Sequence, residues 1–286
     1  MPVMEQPAMI PNVHRDVAVR LGATISSPAS VVLSVAVSAL HRLDHESLVV
    51  QLDGQPVAID EIGAPVGARL HEITGLTAGR LSVQYNASVL AADPNVDPTM
   101  PKFEAIEALE RITYLRPSRY CESDRLGPMA KAEFGHLQGH QLLAAVSTWV
   151  GARLTYVSGS SRPTDGAVAT FLARQGVCRD FAHLVVAFLR ANDVPARVVS
   201  VYAPGLHPMD FHAVAEAHVD GAWHVVDATR LAPRTSLVRI ATGRDAADIA
   251  FMTISGGLVE LTEIEVFAVA QPSLPADDGV SLAQLT

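Results

Sequence analysis

The sequence predicts an α+β fold, in which an N-terminal antiparallel β-sandwich precedes a region of helices followed by an antiparallel sheet. Three observations support this fold class. About the first 90 residues alternate apolar and polar positions between turn signals, which is typical of short antiparallel strands. The segment 91–101 contains three prolines, which interrupt any helix or central strand. After it, apolar residues recur at helical spacing, and alternating sequence returns beyond Pro195.

Strands are predicted at three places in the N-terminal part. The run VVLSVAVSAL occupies 31–40, SLVVQLDGQPVAI occupies 47–59 and ARLHEITGLTAGRLSVQYNASVL occupies 68–90. Asp53 and Gly54 form a two-residue hairpin signal between two strands. The chain therefore divides, by prediction, into a sandwich domain at 1–90, a linker at 91–101, a second domain at 102–270 and a C-terminal tail at 271–286.

Helices are predicted in the first half of the second domain. The segments FEAIEALERITYL (103–115) and HLQGHQLLAAVSTWVGARL (136–154) carry helical spacing. A third helix follows Cys178, where the apolar positions of one face are Phe181, Leu184, Val185, Phe188 and Leu189. Asn192, Asp193 and Pro195 are the signals that end it.

Composition narrows the class of protein. The chain has 286 residues, of which 49% are hydrophobic and 18% charged, so it has material for a core and global disorder is excluded. The net charge of -9 disfavours general nucleic-acid binding. The N-terminus lacks a secretory pattern, and the longest apolar stretch, 31–40, is too short to cross a membrane. We therefore expect a soluble cytoplasmic protein without nucleic-acid or membrane partners. No signal indicates an oligomeric state.

Two cysteines, Cys121 and Cys178, rule out a disulfide-dense scaffold and a four-cysteine zinc site. Cys178 is the more informative, because it stands at or near the first turn of the third predicted helix. The positive end of a helix and its free N–H groups favour a thiolate, and the same groups can receive a developing oxyanion. Cys178 is therefore a candidate nucleophile, although a free cysteine is often a small buried hydrophobe.

A base and an orienting group follow in the segments FHAVAEAHV and AWHVVDAT. Asp220 and Gly221 join the two segments as a predicted two-residue hairpin. In that register His212 and Asp227 are diagonal neighbours on one face of the sheet. The carboxylate of Asp227 could then fix the His212 tautomer while the other ring nitrogen faces the thiol.

The order Cys, His, Asp in these settings resembles the transglutaminase-like superfamily. The matching residues are GVCRDFAHL around Cys178, FHAVAEAHVDGAWHVVDAT around His212 and Asp227, and the following RLAPR. The N-terminal β region and YLRPSRYCESDRL also resemble parts of bacterial members. The resemblance implies a papain-like or transglutaminase-like core at 102–270, with Cys178 as nucleophile, His212 as general base and acid, and Asp227 as orienting carboxylate.

By this resemblance the protein is expected to be an enzyme that hydrolyses a peptide, side-chain amide or isopeptide bond through a thioester acyl-enzyme. Two alternatives stay open, namely a transglutaminase that joins glutamine side chains to amines and a non-catalytic scaffold that keeps the fold. The expected partner is a peptide or protein amide substrate. No cofactor or metal is implied, and the sequence contains no calcium loop of the D-x-[DN]-x-[DN]-G type.

Several other polar residues compete for roles in the site. A pair formed by His218 and Glu216 is the main rival to the triad. Two other groups of residues could bind a metal ion. Those groups are His207 with Asp210 and His212, and His136 with His140. His183, His224 and Cys121 are expected to be structural. The second donor of the oxyanion hole stays open among Gln175, Tyr156 and Trp149.

Overall fold

The computed structural model describes residues 14–90 and 106–285, so the linker predicted at 91–101 lies outside the described residues. The strands in the described parts are β1 (His14–Ile25), β2 (Ala29–Leu33), β3 (Leu43–Leu52), β4 (Gln55–Pro56), β5 (Asp60–Gly63), β6 (Arg69–Leu76), β7 (Gly79–Val89), β8 (Thr155–Tyr156), β9 (Gln175–Gly176), β10 (Ala196–Tyr202), β11 (Phe211–Val219), β12 (Ala222–Val226), β13 (Val238–Gly243), β14 (Met252–Gly256) and β15 (Val259–Gln271). The helices are α1 (Ala108–Leu115), α2 (Ser123–Phe134), α3 (Gly139–Arg153), α4 (Ala167–Ala173), α5 (Cys178–Ala191) and α6 (Ala246–Ile249).

The N-terminal strands form the predicted antiparallel sandwich. One sheet has the strand order β15-β1-β7-β3-β4 and the other the order β14-β2-β6-β5. Alternate residues of the strands fill the space between the two sheets, as Val17, Val19 and Leu21 do on β1. The predicted hairpin at Asp53 and Gly54 joins β3 to β4, and both residues have the positive φ that this turn requires.

The last two strands belong to this sandwich, although the sequence-based boundary puts residues up to 270 in the second domain. β15 pairs with β1 over its whole length, from His14 opposite Gln271 to Ile25 opposite Val259. β14 pairs in the same way with β2. Alternating sequence such as VELTEIEVFAVA is compatible with a strand of the sandwich or of the second domain. The local pattern therefore does not predict which strand it pairs with. Residues 252–271 therefore lie in the sandwich rather than in the second domain.

The second part of the molecule is built around α5 and a four-stranded antiparallel sheet of order β12-β11-β10-β13. Ala213, Ala215 and Ala217 share one face of β11, and α5 packs against that strand within the same apolar core. Small side chains let the helix approach the sheet closely. Helices α2, α3 and α4 contact other sides of α5, which is buried along most of its length. The α+β prediction is confirmed.

The predicted strand at 31–40 is shorter than expected, because β2 ends at Leu33. The residues after it leave the sheet and bond to the second part of the molecule. The Tyr202 hydroxyl donates a hydrogen bond to the Val35 carbonyl (2.7 Å), and the Ser38 N–H donates to the Arg239 carbonyl (2.9 Å). The backbone of this segment thus links the sandwich to the helix-and-sheet part.

The C-terminal tail packs on the protein although residues 272–285 contain no helix or strand. Asp277 accepts hydrogen bonds from the Arg234 guanidinium at 2.7, 2.9 and 3.3 Å, and the Val225 N–H donates to the Ala283 carbonyl at 2.8 Å. These bonds hold the tail against the outer side of β12. Within the described ranges, no helix is both long and apolar enough to cross a membrane; a cytoplasmic location stays a prediction.

Candidate active site

Cys178 is the first residue of α5, as the sequence predicts. The turn before it is fixed by Asp180, whose Oδ2 accepts a hydrogen bond from the Val177 N–H at 2.9 Å. Ser161 donates to the other oxygen of Asp180, also at 2.9 Å. N–H groups in the first turn of a helix have no acceptor within the helix. The thiol, which is partly exposed, therefore stands at the positive end of the helix dipole.

The hairpin that carries the predicted base and carboxylate has the expected register. Val219 lies opposite Ala222 and Glu216 opposite Val225, while Asp220 and Gly221 both adopt positive φ. His212 lies near the start of β11, and Asp227 follows the last residue of β12. Their side chains meet directly, with Nε2 of His212 3.0 Å from Oδ2 of Asp227. Both residues are buried.

The surroundings of Asp227 fix the tautomer of His212. The other carboxylate oxygen, Oδ1, accepts hydrogen bonds from the Thr229 N–H at 2.8 Å and from the Thr229 hydroxyl at 2.6 Å. With the carboxylate acting only as an acceptor, Nε2 of His212 carries a proton. The second ring nitrogen, Nδ1, has no hydrogen-bond partner among the described residues. It is therefore available to exchange a proton with Cys178, whose thiol interacts with the imidazole.

The electrostatics of the pair favour a charged imidazolium. Burial opposes this charge, but the Asp227 carboxylate and the Cys178 thiol outweigh burial and raise the pKa of His212 well above its usual value. Burial also opposes the charge on Asp227, yet the positive His212 and the hydrogen bonds from His212 and Thr229 keep the pKa of this carboxyl below its usual value. An imidazolium beside the thiol is the partner that stabilises a thiolate.

The rival pair of His218 and Glu216 is not assembled as a catalytic unit. Glu216 is buried between two arginines: it accepts hydrogen bonds from Arg197 at 2.8 Å and from Arg239 at 2.6 and 2.9 Å. His218 packs edge-on against Trp223, with ring centroids 5.3 Å apart. The carboxylate of Glu216 is thus engaged in a structural ion-pair cluster.

The remaining candidates have structural settings. His183 accepts a hydrogen bond from the Ala246 N–H at 3.1 Å, and burial lowers its pKa to about 3. Cys121 is buried, which raises its pKa to about 12 and makes it a poor nucleophile. Within residues 14–90 and 106–285 no three histidine, cysteine, aspartate or glutamate side chains converge as metal ligands, so neither His207 nor His136 belongs to such a cluster.

One of the three candidates for the second oxyanion donor lies beside Cys178. Tyr156 pairs with Gly176 in the parallel β8–β9 ladder, and its ring packs 6.0 Å from that of Phe181, one turn after Cys178. Burial and the Cys178 thiol raise the pKa of Tyr156 to about 12. Trp149 instead packs inside the aromatic core. Strands β8 and β9 have two residues each, which is too short for a periodic pattern in the sequence. The sequence therefore does not predict that they pair.

Comparison with known proteins agrees with this architecture. The sequence pattern of the transglutaminase-like superfamily matches residues 131–228, which include all three predicted triad residues. A solved structure from Cytophaga hutchinsonii, described as a candidate cysteine protease, is 32% identical and has a TM-score of 0.82. The match covers 94% of this chain and 94% of that one.

Uncharacterized mycobacterial proteins are also similar. One from Mycobacterium leprae is 25% identical over 191 residues, 62% of this chain and 66% of its own length. Another, from Mycobacterium bovis, is 42% identical over 62 residues, which make up 22% of this chain and 20% of the relative. The chain thus spans less than two thirds of these relatives. The match to the Cytophaga protein, in contrast, extends over nearly the whole of both chains and includes the sandwich as well as the core. The protein belongs to the transglutaminase-like superfamily.

Proposed function

We propose that the protein is a cysteine hydrolase that cleaves a peptide, side-chain amide or isopeptide bond through Cys178, His212 and Asp227. The observation that carries the proposal is the buried His212–Asp227 pair. Nδ1 of His212 is not used in this pair and is available to Cys178 at the N-terminus of α5. The similarity to a candidate cysteine protease over nearly the whole chain supports a peptide or protein substrate.

The residues divide the reaction into two steps. The Cys178 thiolate attacks the amide carbonyl carbon, and His212 gives its Nδ1 proton to the leaving amine as the C–N bond breaks. A thioester then joins the acyl group to Cys178. In the second step His212 removes a proton from water, the hydroxide attacks the thioester carbonyl, and the carboxylic acid leaves while the thiolate returns. Asp227 holds the ring in the required tautomer throughout.

The pH dependence of Cys178 alkylation by iodoacetamide tests the thiolate–imidazolium pair. In the wild-type protein we expect fast labelling at and below about pH 7, and in His212→Ala much slower labelling in the same range. Cys121 is buried and contributes no competing signal. Slow labelling in this range that does not respond to His212→Ala would contradict the active triad and favour a scaffold role.

Tyr156 is proposed as the second donor to the oxyanion, together with the Cys178 N–H. Tyr156→Phe should slow acylation of Cys178 by p-nitrophenyl acetate by about ten- to a hundredfold, because a donor to the developing negative oxygen is lost. Alkylation by iodoacetamide forms no oxyanion, so its rate should stay unchanged and serves as the control. Equal acylation rates in the two proteins would remove Tyr156 from this role, and faster acylation would mean that the hydroxyl obstructs the site.

The fate of the acyl-enzyme separates hydrolysis from transamidation. Glutamine-containing peptides are incubated with the enzyme, with and without an added primary amine, and the products are weighed by mass spectrometry. Release of free acid in the presence of the amine supports the hydrolase. Amine incorporation as the main product would instead assign the transglutaminase activity, with the same three residues carrying the acyl transfer.

A further inference from the structure

An aspartate lies beside the candidate active site, immediately before β11. Asp210 stands two residues ahead of His212. The residue between them, Phe211, packs its ring against Tyr202 at 5.7 Å and Phe251 at 5.2 Å between ring centroids. The Asp210 carboxylate is near enough to His212 and Tyr156 for its charge to interact with both side chains. Asp210 therefore lies beside the candidate site, with an exposed side chain.

The Asp210 carboxylate is held in place and, among the described residues, pairs with no lysine or arginine side chain. Its Oδ1 accepts a hydrogen bond from the Phe211 N–H at 2.7 Å, which limits its rotation. Both His212 and Tyr156 also interact with the Cys178 thiol. Asp210 is exposed, so a bound ligand can reach it.

A negative charge in this position works against the chemistry of the empty site. The thiolate and the oxyanion are both negative, and a carboxylate near Tyr156 raises the energy of each through like-charge repulsion. A cationic group on the bound substrate would cancel this repulsion and form a favourable pair with the carboxylate. The charge thus disfavours acylation by neutral or anionic substrates and favours acylation by cationic ones.

We propose that Asp210 is a specificity residue that selects acyl donors carrying a cationic side chain, of the lysine or arginine kind, next to the scissile carbonyl. The inference rests on the proposed acyl-transfer function of Cys178. It adds the substrate class, a basic peptide or amide, to that function.

Two matched esters test this selection. The p-nitrophenyl esters of Nα-acetyl-lysine and Nα-acetyl-norleucine share a hydrocarbon chain and differ in the ammonium group. For the wild-type protein we expect kcat/KM to favour the lysine ester by about five- to tenfold at low salt. Asp210→Asn should bring the ratio close to one, and Asp210→Glu should retain the preference. Asp44→Asn, an exposed change of equal charge on β3, should leave the ratio unaltered.

The outcomes separate the two proposals. A wild-type ratio near one, or a preference that survives Asp210→Asn, overturns the role of Asp210 while leaving the hydrolase intact. Failure of both esters to acylate wild-type Cys178 overturns the hydrolase instead. In that case the rates of thiol modification by trimethylammonium-ethyl and by ethyl methanethiosulfonate still decide the electrostatic part. If the ratio of these two rates is the same in the wild type and in Asp210→Asn, the inference fails as well.

Discussion

Asp227→Asn is expected to reduce acylation of Cys178 by about 10³–10⁴-fold while the protein stays folded. Both Thr229 donors point at Oδ1 of Asp227, at 2.8 and 2.6 Å. The asparagine oxygen would satisfy these donors, and its NH₂ group would then face Nε2 of His212. Nε2 would have to become an acceptor, and the proton would move to Nδ1. A neutral imidazole protonated at Nδ1 cannot take the proton of the thiol.

The burst of p-nitrophenol from p-nitrophenyl acetate measures this effect, with Cys178→Ala giving the background. Thr229→Val is a matched control, since it removes the hydroxyl bond to Oδ1 and leaves the N–H bond in place. We expect it to lower the rate by about tenfold or less, in proportion to one hydrogen bond. Retention of acylation within tenfold in Asp227→Asn would show that the orientation of His212 does not depend on this carboxylate.

Glu216→Ala is expected to lower the free energy of unfolding by about 3–5 kcal/mol. The side chain is buried and accepts hydrogen bonds from Arg197 and Arg239, both of which are also buried. Its removal leaves two guanidinium groups without their shared counter-charge. Urea unfolding followed by tryptophan fluorescence measures the change, because Arg197 lies 3.7 Å above the Trp223 ring and couples the cluster to that signal.

Glu110→Ala is the control for this variant. Glu110 pairs with Arg197 at 2.8 Å but is 30% exposed, so its loss should cost about 1 kcal/mol or less. The two arginines hold the pKa of Glu216 at about 2 against the opposing effect of burial. Because the folded state resists protonation, this carboxylate stabilises the protein above about pH 4.5, and that contribution disappears as the pH falls toward 2. A loss of less than 1 kcal/mol in Glu216→Ala would contradict the structural role of the cluster.

Local signals account for the parts of the site that sequence reasoning placed correctly. The Asp220-Gly221 turn allows only one register, so the contact between His212 and Asp227 follows from the sequence alone. The start of α5 at Cys178 follows from helical spacing and the preceding glycine. The approach of Cys178 to His212 is different, because it joins elements that are not neighbours along the chain. It was expected from the family resemblance.

Non-local pairing explains what the sequence left open. From the sequence, Glu216 could pair with His218 or with other residues. In the structure β10 and β13 lie on the same side of β11, and they bring Arg197 and Arg239 to Glu216. Tyr156 reaches the thiol through the short β8–β9 ladder, whose residues carry no periodic pattern. The return of β15 to β1 is of the same kind. Each depends on which segments meet, and the local composition is compatible with several answers.

The pairing of β1 with β15 has a consequence for how the chain is made. A ribosome releases His14–Ile25 early, but the strand that borders it on one side emerges only with Val259–Gln271. Separate domains usually fold one after another in the order of synthesis. The sandwich cannot do so, because one of its strands follows the helix-and-sheet part in the chain. The helix-and-sheet core is produced in the interval, between two strands of one unfinished sheet. The sheet is thus complete only after residues 259–271 have been synthesised, and a chain that stops before residue 259 leaves β1 with an open edge.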